Sequence, residues 1–596
     1  MSHRIVVRIS GESGSGIDSA GHIIMHSLKQ SGYYVVADRE YPSLIKWGCA
    51  NYQINISSKP IYWQSMINDI GIGTDRIGTL DCIQKIKSGG IVLCGYEKII
   101  DTNPESLRLA ESRQITLIHI PALQLASIHG GGIMFTNTVM IWALRALLWW
   151  SYEILKQEMI HKFGKKKTLL DINLACLQSG YNLINDFDKG QIISYHLQTT
   201  VGVPDMSTSD QMLIEGNTAL ALWAIHAGVR AYYAYPMSPS SSILSYLAKV
   251  APQTGMLVKQ VEDEISVINM TLGSMYAGTR ALCATSGWWF DLMIETISLS
   301  AMIEVPLVVI VAQRPGPATG LPTRTAQADL NLAVYAGHGE FGKCVIAVGD
   351  PKSAFDLIQH AYNIAETYHI PVIILTEKTI AETYQVCPLF TQEEIVICRW
   401  LVTDPVMLES LKPEHRFALT DTGVSFRRIP WSSQTISYTN GDEHHPDGTL
   451  DESIEVDKMV DKRIKKNQNL MIQIPQPHLY GDPDAMVTIV GRWSTINPLR
   501  DVLIVYYDQD IAINYLHYEY MRPLQTDLLQ WLIDRGNQMI IIEGNAYWQL
   551  ANLIRQQTGY HFAHQLLKYN GRPRYIQEII QQLDTIIKKN KKDSTN

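Results

Sequence analysis

The part of the chain that most limits the possible folds covers residues 229–330, where three polar segments each follow a short apolar run. The apolar runs cover residues 230–234, 256–258 and 306–312, and their length and composition predict buried β-strands. The polar segments are Tyr-Pro-Met-Ser-Pro-Ser-Ser, Gln-Val-Glu-Asp-Glu and Gln-Arg-Pro-Gly-Pro-Ala-Thr-Gly. Since ligands bind at the carboxyl edge of an open parallel sheet, we expect the three segments to form one rim there.

Three side chains in these segments have the chemistry to bind a ligand. Arg314 offers a planar set of donors that suits a carboxylate or a phosphate, and Ser238 has a hydroxyl that both donates and accepts. Glu264 begins an apolar helical pattern, where a buried carboxylate must find a partner or become protonated. Thiamine catalysis uses such a carboxylate to stabilise the imino tautomer of an aminopyrimidine ring. A structural salt bridge is an equally good interpretation of the residues alone.

The order of the segments resembles one enzyme family. YPMSPSS, QVEDE, CATSG and AQRPGPATGLPTRT are similar to the pyrimidine-binding domain of the α subunit of 2-oxoacid:ferredoxin oxidoreductases. That family usually has YPITPSS, QxEDE, TATSGPGF and QRGGPSTGLPTKT. The similarity is detailed over residues 210–385 and looser over the whole chain, including a γ-type domain at the N-terminus. Each segment alone is a weak signal, but the combination is specific.

The resemblance implies two groups of site residues. The first group would face thiamine diphosphate and consists of Glu264, which has the catalytic role, Thr285 and Ser286. The second group would face the 2-oxo acid and consists of Tyr235, Ser238 and Arg314, of which Arg314 would hold the carboxylate. Two departures from the family pattern stand out. Ser238 replaces a threonine and lacks its methyl group, so its rotamer is less restricted. Trp288 and Trp289 replace Pro-Gly, which must change the shape of the site or of an adjacent interface.

Charge and cysteine content exclude several classes of protein. The net charge is −8 and no large basic block precedes the tail, so we expect no nucleic-acid partner. The eight cysteines are far apart in the sequence, which predicts reduced thiols in a cytoplasmic protein and no metal or iron–sulfur cluster held by this chain alone. The chain does not start with a signal-peptide pattern.

The one membrane-like stretch covers residues 139–150 and contains Arg145. It is shorter than the roughly 20 residues that span a bilayer. We therefore expect a buried or interface helix and no membrane association, with a membrane-surface role as the alternative.

Alternating strand and helix patterns predict an α/β chain of three domains with connecting segments. With names taken from the resemblance, the order is a γ-type α/β domain (1–190), a linker (191–209), the pyrimidine-binding thiamine-diphosphate domain (210–387), a connecting segment (388–480), a transketolase C-terminal-like domain (481–587) and a disordered tail (588–596). The first domain is expected to have a mainly parallel sheet. In the last domain, residues 502–506 are predicted to form a strand, and Asn545 and Gln549 match family positions for which packing is the simpler explanation.

Four other patterns allow more than one interpretation. The glycines of residues 11–16 suit either an anion cradle at a helix start or a tight turn. Lys46 stands near a position where the family has a basic residue. Residues 443–447 contain acids and histidines, which suit a solvated connecting loop better than a metal site. Residues 457–466 are charged and helix-compatible, which predicts an exposed face.

The chain lacks the Gly-Asp-Gly signature that holds the diphosphate and divalent ion in thiamine enzymes; residues 481–483 are Gly-Asp-Pro. The resemblance therefore implies a β subunit that supplies the diphosphate site, Mg²⁺ and a 4Fe-4S cluster. The implied reaction is oxidative decarboxylation of a 2-oxo acid to an acyl-CoA and CO₂, with electrons passed to ferredoxin. 2-Oxoglutarate is favoured over pyruvate or branched-chain 2-oxo acids.

Two alternatives to this function come from other classes. One is a non-catalytic assembly subunit whose Trp288–Trp289 pair fills the cofactor cavity. The other is a stand-alone nucleotide-binding protein that uses residues 11–16.

Overall fold

The computed structural model describes residues 4–42, 49–95, 104–188, 196–390, 395–450, 453 and 455–593. Two compact units make up the chain: Met1–Ile214 with Thr383–Leu389 and Tyr575–Gln581 in unit 1, and Glu215–Glu382 with Phe390–Arg574 and Gln582–Asn596 in unit 2. Lys46 and linker residues 191–195 lie outside the described residues, as do residues 594–596 of the predicted tail.

Strands and helices alternate along most of the chain. The strands are β1 (Ile5–Glu12), β2 (Tyr34–Glu40), β3 (Cys49–Ser57), β4 (Asn68–Gly73), β5 (Ile86–Cys94), β6 (Thr116–His119), β7 (Met212–Glu215), β8 (Ala231–Ala234), β9 (Leu257–Gln260), β10 (Ala281–Thr285), β11 (Leu307–Gln313), β12 (Cys344–Ala347), β13 (Pro371–Glu377), β14 (Tyr384–Cys387), β15 (His478–Gly481), β16 (Val487–Arg492), β17 (Asn514–Tyr518), β18 (Tyr520–Arg522), β19 (Gln538–Glu543) and β20 (His564–Leu567). The helices are α1 (Ile17–Gln30), α2 (Arg76–Lys85), α3 (Pro104–Ser112), α4 (Ala122–Ile128), α5 (Thr136–Leu148), α6 (Tyr152–Phe163), α7 (Lys167–Asp188), α8 (Leu197–Thr200), α9 (Gly216–His226), α10 (Ser241–Thr254), α11 (Glu264–Tyr276), α12 (Ile294–Met302), α13 (Leu330–Val334), α14 (Pro351–Tyr368), α15 (Lys378–Glu382), α16 (Pro405–Ser410), α17 (Val456–Gln473), α18 (Ile496–Tyr507), α19 (Asp527–Asp534), α20 (Gln549–Thr558) and α21 (Ile576–Asp593). The predicted tail is thus helical up to Asp593.

Unit 1 contains an eight-stranded sheet in the order β6-β5-β4-β1-β3-β2-β14-β7. The strands from β6 to β1 are parallel, but β3 pairs antiparallel with both β1 and β2. The expected mainly parallel sheet is therefore wrong for this half. Only residues 41–48 separate β2 from β3, which is too short for the crossover that parallel neighbours need.

The glycine-rich segment before α1 forms a turn. Gly14 and Gly16 have φ angles of 90° and 85°, and Asn137 Nδ2 donates to the Ser15 carbonyl oxygen at 2.6 Å. A Cβ on Gly16 would lie 2.7 Å from that Nδ2 atom, so glycine is required there by both the backbone and the close approach.

The apolar stretch predicted as a buried helix forms most of α5. Ten of its residues are buried, among them Trp142 and Leu144. No single helix in the described ranges has both the length and the apolar character to cross a membrane; only Ala122–Ile128 together with Ile133–Leu148, bent by 109°, has them. All eight cysteines are free thiols, and six of them are buried.

Unit 2 contains two sheets. The first has the order β18-β12-β13-β11-β10-β8-β9 and is parallel except for β18. Every residue of β11 and β13 is buried, as expected for a parallel sheet that helices cover on both faces. The second sheet has the order β15-β17-β16-β19-β20.

The strand predicted at residues 502–506 is wrong, because this run lies in helix α18. Leu499, Val502 and Tyr506 are buried on one side of that helix, which is a helical spacing. A short apolar run does not distinguish a strand from a buried helix segment, and here the longer pattern decides.

The charged run at residues 457–466 is helical, but its prediction as an exposed face is wrong. Lys462, Arg463 and Lys466 of α17 are at most 5% exposed. The two lysines donate to the carboxylate of Glu304, at 2.5 and 2.6 Å. Arg463 makes a two-bond contact with Glu443, at 2.9 and 2.6 Å, so α17 packs through ion pairs.

Glu443 is one of the residues considered for a metal site. Its neighbour His444 is buried against the ring of Phe417, with 4.1 Å between ring centroids. Among the described residues, no group of three or more His, Cys, Asp or Glu side chains is arranged to hold a metal ion.

Candidate functional site

The predicted rim exists at the carboxyl edge of the first sheet of unit 2. Strands β9, β8, β10 and β11 are consecutive neighbours in the sheet and all run parallel. Their ends therefore bring together the segments that begin at Tyr235, Val261, Ser286 and Arg314. The prediction that the three polar segments containing Tyr235, Glu264 and Arg314 share one edge is confirmed, and the segment at Ser286 lies at the same edge. This edge is the usual ligand-binding position in such sheets.

Glu264 is the first residue of α11 and is 1% exposed. The preceding Asp263 caps the helix by accepting a hydrogen bond from the backbone N–H of Ser266, at 2.8 Å, which fixes where the helix begins. Thr285, at the end of β10, donates to Oε1 of Glu264 at 3.4 Å. The other oxygen, Oε2, is buried and has no hydrogen-bond partner.

The environment of Glu264 favours its neutral form. Burial raises the pKa of its carboxyl group, and hydrogen bonds from its own backbone N–H and from Thr285 act in the opposite direction. A buried oxygen without a partner is costly unless a ligand completes it. Glu264 is therefore set up to exchange one hydrogen bond with a bound polar group.

Arg314 follows β11 and is 4% exposed. Its Nη1 donates to the Ser238 carbonyl oxygen at 3.0 Å, whereas its Nε is buried without a partner. Burial lowers the pKa of Arg314, and the negative charge of Asp329 opposes this shift. The structure thus brings Arg314 and Ser238 together, with the Ser238 side chain half-buried at the rim.

Two small residues bring the strand ends close together. Gly287 has a φ of 58°, and a Cβ on it would lie 3.4 Å from both Cγ and Nε of Arg314. The preceding Ser286 is fully buried and its hydroxyl has no partner. The loop that carries Ser238 is held by Asn217, whose Nδ2 donates to the Pro239 carbonyl and to the Ser242 hydroxyl, both at 2.7 Å.

The two indoles that replace Pro-Gly pack mainly on each other. The ring centroids of Trp288 and Trp289 are 4.7 Å apart, and Trp289 lies 6.2 Å from the ring of Tyr235. Trp288 is 43% exposed. Neither indole nitrogen donates a hydrogen bond to Oε2 of Glu264, which has no partner.

A buried polar network that the sequence analysis missed borders the same edge. Glu377 ends β13 and accepts hydrogen bonds from Thr325 at 2.6 Å, from Gln327 at 3.2 Å and from Ser494. Gln327 also forms two hydrogen bonds with Gly544, both at 3.0 Å: the Gln327 backbone N–H donates to the Gly544 carbonyl oxygen, and the Gly544 N–H donates to Oε1 of Gln327. The only signal in the sequence is a carboxylate at the end of the apolar run of β13.

Asn545 and Gln549 make structural contacts in unit 2. Asn545 Nδ2 donates to Glu543 at 2.7 Å, and Gln549 Nε2 donates to the Ala328 carbonyl oxygen at 2.6 Å. These bonds agree with the interpretation that the two residues serve packing.

Two family descriptions match the sequence. Residues 6–183 match "pyruvate ferredoxin/flavodoxin oxidoreductase", and residues 223–461 match the thiamine-diphosphate-binding domain of pyruvate flavodoxin/ferredoxin oxidoreductases. The second range contains all six site residues that the resemblance implied.

Similar proteins match over nearly the whole chain. The 2-oxoacid:ferredoxin oxidoreductase subunit alpha of a Sulfolobus species is 30% identical, covering 98% of this chain and 97% of the relative. The 2-oxoglutarate oxidoreductase subunit KorA of Mycobacterium tuberculosis is 26% identical, covering 92% and 87%. The solved 2-oxoglutarate:ferredoxin oxidoreductase of Magnetococcus marinus, with 2-oxoglutarate, coenzyme A and succinyl-CoA bound, is 27% identical with a TM-score of 0.88, covering 98% and 100%.

Proposed function

Because this chain belongs to the 2-oxoacid:ferredoxin oxidoreductases as an α subunit, we propose that it joins a β subunit to oxidise 2-oxoglutarate. The products would be succinyl-CoA and CO₂, with two electrons passed to ferredoxin. The choice of 2-oxoglutarate is supported by the Magnetococcus marinus enzyme, which holds this 2-oxo acid, and by the Mycobacterium tuberculosis relative, which is named for it.

The observation that carries the proposal is the buried carboxylate of Glu264 with one unpaired oxygen. Thiamine diphosphate has a pyrimidine ring whose nitrogen suits this oxygen, and the unpaired buried hydroxyl of Ser286 offers a second polar contact. Glu264, Thr285 and Ser286 therefore fit the ring end of this cofactor. Bound thiamine diphosphate would supply carbanion stabilisation, which no protein side chain provides.

Each site residue then has a task of its own. Glu264, whose pKa is raised by burial, holds a proton in the hydrogen bond to the ring nitrogen, which favours the imino tautomer. Arg314 binds the carboxylate of the 2-oxo acid through the donors that its Ser238 contact leaves over. Ser238 and Tyr235 line the rim beside it and orient the keto group. Burial of the polar groups excludes water, which strengthens each of these contacts.

The remaining parts of the enzyme are assigned to the partner. We propose that the β subunit binds the diphosphate and Mg²⁺ and carries the 4Fe-4S cluster that passes electrons to ferredoxin. The α-subunit names of the relatives support a complex of several chains. Coenzyme A would enter the same complex as acyl acceptor, as it is bound in the Magnetococcus marinus enzyme.

The test is a comparison of two glutamate variants in the complex with its β subunit, prepared without oxygen. Glu264→Gln should lower 2-oxoglutarate-dependent reduction of ferredoxin by about 10²–10⁴-fold, because it removes the proton-holding carboxylate. Glu262→Gln is the matched control, since Glu262 lies in the same segment but is exposed and accepts a hydrogen bond from the Ser266 hydroxyl at 2.8 Å. It should keep nearly the full rate.

Equal rates for Glu264→Gln and the wild type would refute the assignment of Glu264. Substrate choice is measured separately by comparing kcat/KM for 2-oxoglutarate, pyruvate and a branched-chain 2-oxo acid. A higher value for either of the other two would contradict 2-oxoglutarate as the substrate while leaving the role of Glu264 intact.

A further inference from the structure

Asp329 is a charged residue at the rim that the roles above leave without a task. It lies in the loop between β11 and α13, and its backbone N–H donates to Oε1 of Gln313 at 2.8 Å. Gln313 is the last residue of β11 and in turn donates to the Thr376 carbonyl oxygen of β13 at 3.3 Å. The backbone of Asp329 is thus tied to the strand end from which Arg314 projects.

The side chains of Asp329 and Arg314 each have an unsatisfied buried atom. Oδ2 of Asp329 and Nε of Arg314 are both buried without a hydrogen-bond partner. They are complementary in charge, and each shifts the titration of the other: Asp329 raises the pKa of Arg314, and Arg314 lowers that of Asp329. No other carboxylate acts on Arg314 among the described residues.

The surroundings do not offer Asp329 a structural ion pair. Burial raises the pKa of Asp329 to about 6, the charge of Asp291 adds to the shift, and Arg314 and Arg492 oppose it. Arg492 donates through Nη2 to Glu543 at 3.4 Å and to the Gln327 carbonyl oxygen at 3.1 Å, and its Nε and Nη1 are buried without a hydrogen bond to Asp329 or to any other described group. A carboxylate kept in a place that disfavours its charge, beside an arginine at the rim, indicates a functional role.

We propose that Asp329 is a positioning residue, whose carboxylate orients the Arg314 guanidinium so that its free donors face the carboxylate of the 2-oxo acid. The inference rests on the proposed function, since it requires Arg314 to bind substrate. The Ser238 carbonyl holds one end of the guanidinium, and the field of Asp329 selects the direction of the other. Without the charge of Asp329, the Arg314 guanidinium would remain but would be less well oriented toward the carboxylate of the 2-oxo acid.

The experiment compares Asp329→Asn with Asp291→Asn in the complete enzyme complex. Asp291→Asn removes an exposed carboxylate of the same neighbourhood and should leave KM for the 2-oxo acid within about twofold. Asp329→Asn should raise KM about tenfold or more with a smaller change in kcat, because it weakens an interaction made with the bound substrate.

The pH profile separates this role from a merely structural one. In the wild type, KM should rise as the pH falls through about 6, where Asp329 takes up a proton, and this rise should be absent in Asp329→Asn. The melting temperature of the variant at neutral pH should equal or exceed that of the wild type, since the ionised carboxylate is disfavoured by burial.

An unchanged KM in Asp329→Asn, or a wild-type KM that is flat across pH 5–7, would overturn the inference. The wild-type profile needs no variant, so it decides even where Asp329→Asn does not fold. A wild-type complex without thiamine-dependent turnover would instead refute the proposed function, so the failure of the proposed function is distinguishable from the failure of the role of Asp329.

A second, independent observation concerns tryptophan. Nine described residues other than glycine have a positive φ, and four of these are tryptophan, although the whole chain has only 13 tryptophans. The four are Trp149, Trp431, Trp493 and Trp548, with φ between 51° and 57°. Glycine adopts this conformation freely, whereas a bulky residue there is an outlier.

The places themselves are typical of glycine. Trp149 follows α5 in the left-handed conformation and donates its backbone N–H to the Arg145 carbonyl oxygen at 2.8 Å, which is the usual position of a terminating glycine. Packing does not compensate at three of the four positions, because Trp149 is 49%, Trp431 86% and Trp548 44% exposed.

We infer that the protein made in its own cell has glycine at residues 149, 431, 493 and 548, because its gene uses the codon UGA for glycine. UGA differs by one base from the glycine codon GGA, and it stands for tryptophan under another variant of the genetic code. Trp63 and Trp142 are fully buried and lack a positive φ, so they remain tryptophan with the codon UGG.

Sequencing the gene and weighing peptides of the protein isolated from its own cell test this inference. We expect UGA and a glycine mass at the four positions, with UGG and a tryptophan mass at Trp63 and Trp142. Tryptophan masses at the four positions would overturn it. As a separate measurement, Trp431→Gly and Trp548→Gly, at two exposed positions with a positive φ, should raise the melting temperature of the recombinant chain; a fall in both would also count against the inference.

Discussion

Replacing Glu304 by glutamine should destabilise unit 2 strongly. Glu304 is fully buried, and its carboxylate accepts from Lys462 at 2.5 Å and from Lys466 at 2.6 Å, with both lysines no more than 3% exposed. Burial alone would raise the pKa of Glu304, but the two lysine charges bring it well below its ordinary value. The carboxylate is thus ionised at neutral pH and balances two buried ammonium groups.

The magnitude follows from what the variant leaves behind. Glu304→Gln keeps the volume but leaves Lys462 and Lys466 without a counter-charge, next to Arg416, which donates to the backbone oxygens of Ile303 and Glu304. Removing one partner of a buried ion pair costs about 3–5 kcal/mol. Burial already lowers the pKa of Lys462 to about 7, although the negative charge of Glu304 opposes this shift. Without that charge, the buried lysines of the variant should lose their protons as the pH rises.

Urea unfolding of the chain at pH 6 and pH 9, followed by circular dichroism, measures this effect. The loss of unfolding free energy should be about 3–5 kcal/mol at pH 6 and smaller at pH 9, because neutral lysines are cheaper to bury. Glu455→Gln is the control, since Glu455 pairs with Lys458 at 2.5 Å on the surface, with both side chains more than half exposed. A loss at pH 6 no larger than that of the control would refute the reasoning.

Two further substitutions at the rim have expected outcomes. Gly287→Ala should lower the free energy of unfolding, measured with urea, by about 1–2 kcal/mol, because φ is 58° and a left-handed conformation disfavours a Cβ. The variant should also raise KM for the 2-oxo acid, since the new Cβ lies 3.4 Å from Arg314. An unchanged KM would contradict that contact. Asn217→Ala should cost about 1–3 kcal/mol, because it leaves the Pro239 carbonyl and the Ser242 hydroxyl without their donor; thermal unfolding measures the cost, and a stability equal to the wild type would show that the loop does not depend on Asn217.

The rim was predictable because local patterns determine it. The apolar runs before Tyr235, Val261 and Arg314 end at turn-forming or charged residues, and parallel strands place those ends on one edge. The helix at Glu264 was also predictable, since Asp263 and the apolar pattern after it are a helix start.

The features that the sequence did not reveal depend on distant contacts. Lys462 and Lys466 meet a carboxylate 158 and 162 residues away, so their charged pattern alone indicates a solvated face. The antiparallel insertion of β3 depends on the pairing partners of a strand, and the strand prediction at residues 502–506 failed because the run is too short to show its period.

The most direct test of the central claim is a binding cycle for Glu264. Calorimetry would compare thiamine diphosphate with an analogue whose facing ring nitrogen is replaced by carbon, in the wild-type complex and in Glu264→Gln. The wild type should bind the analogue about 10-fold or more weakly than the cofactor, as expected for a lost hydrogen bond to a buried carboxylate, and the variant should show little preference. Equal binding of both compounds by the wild type would contradict a contact between Glu264 and the ring.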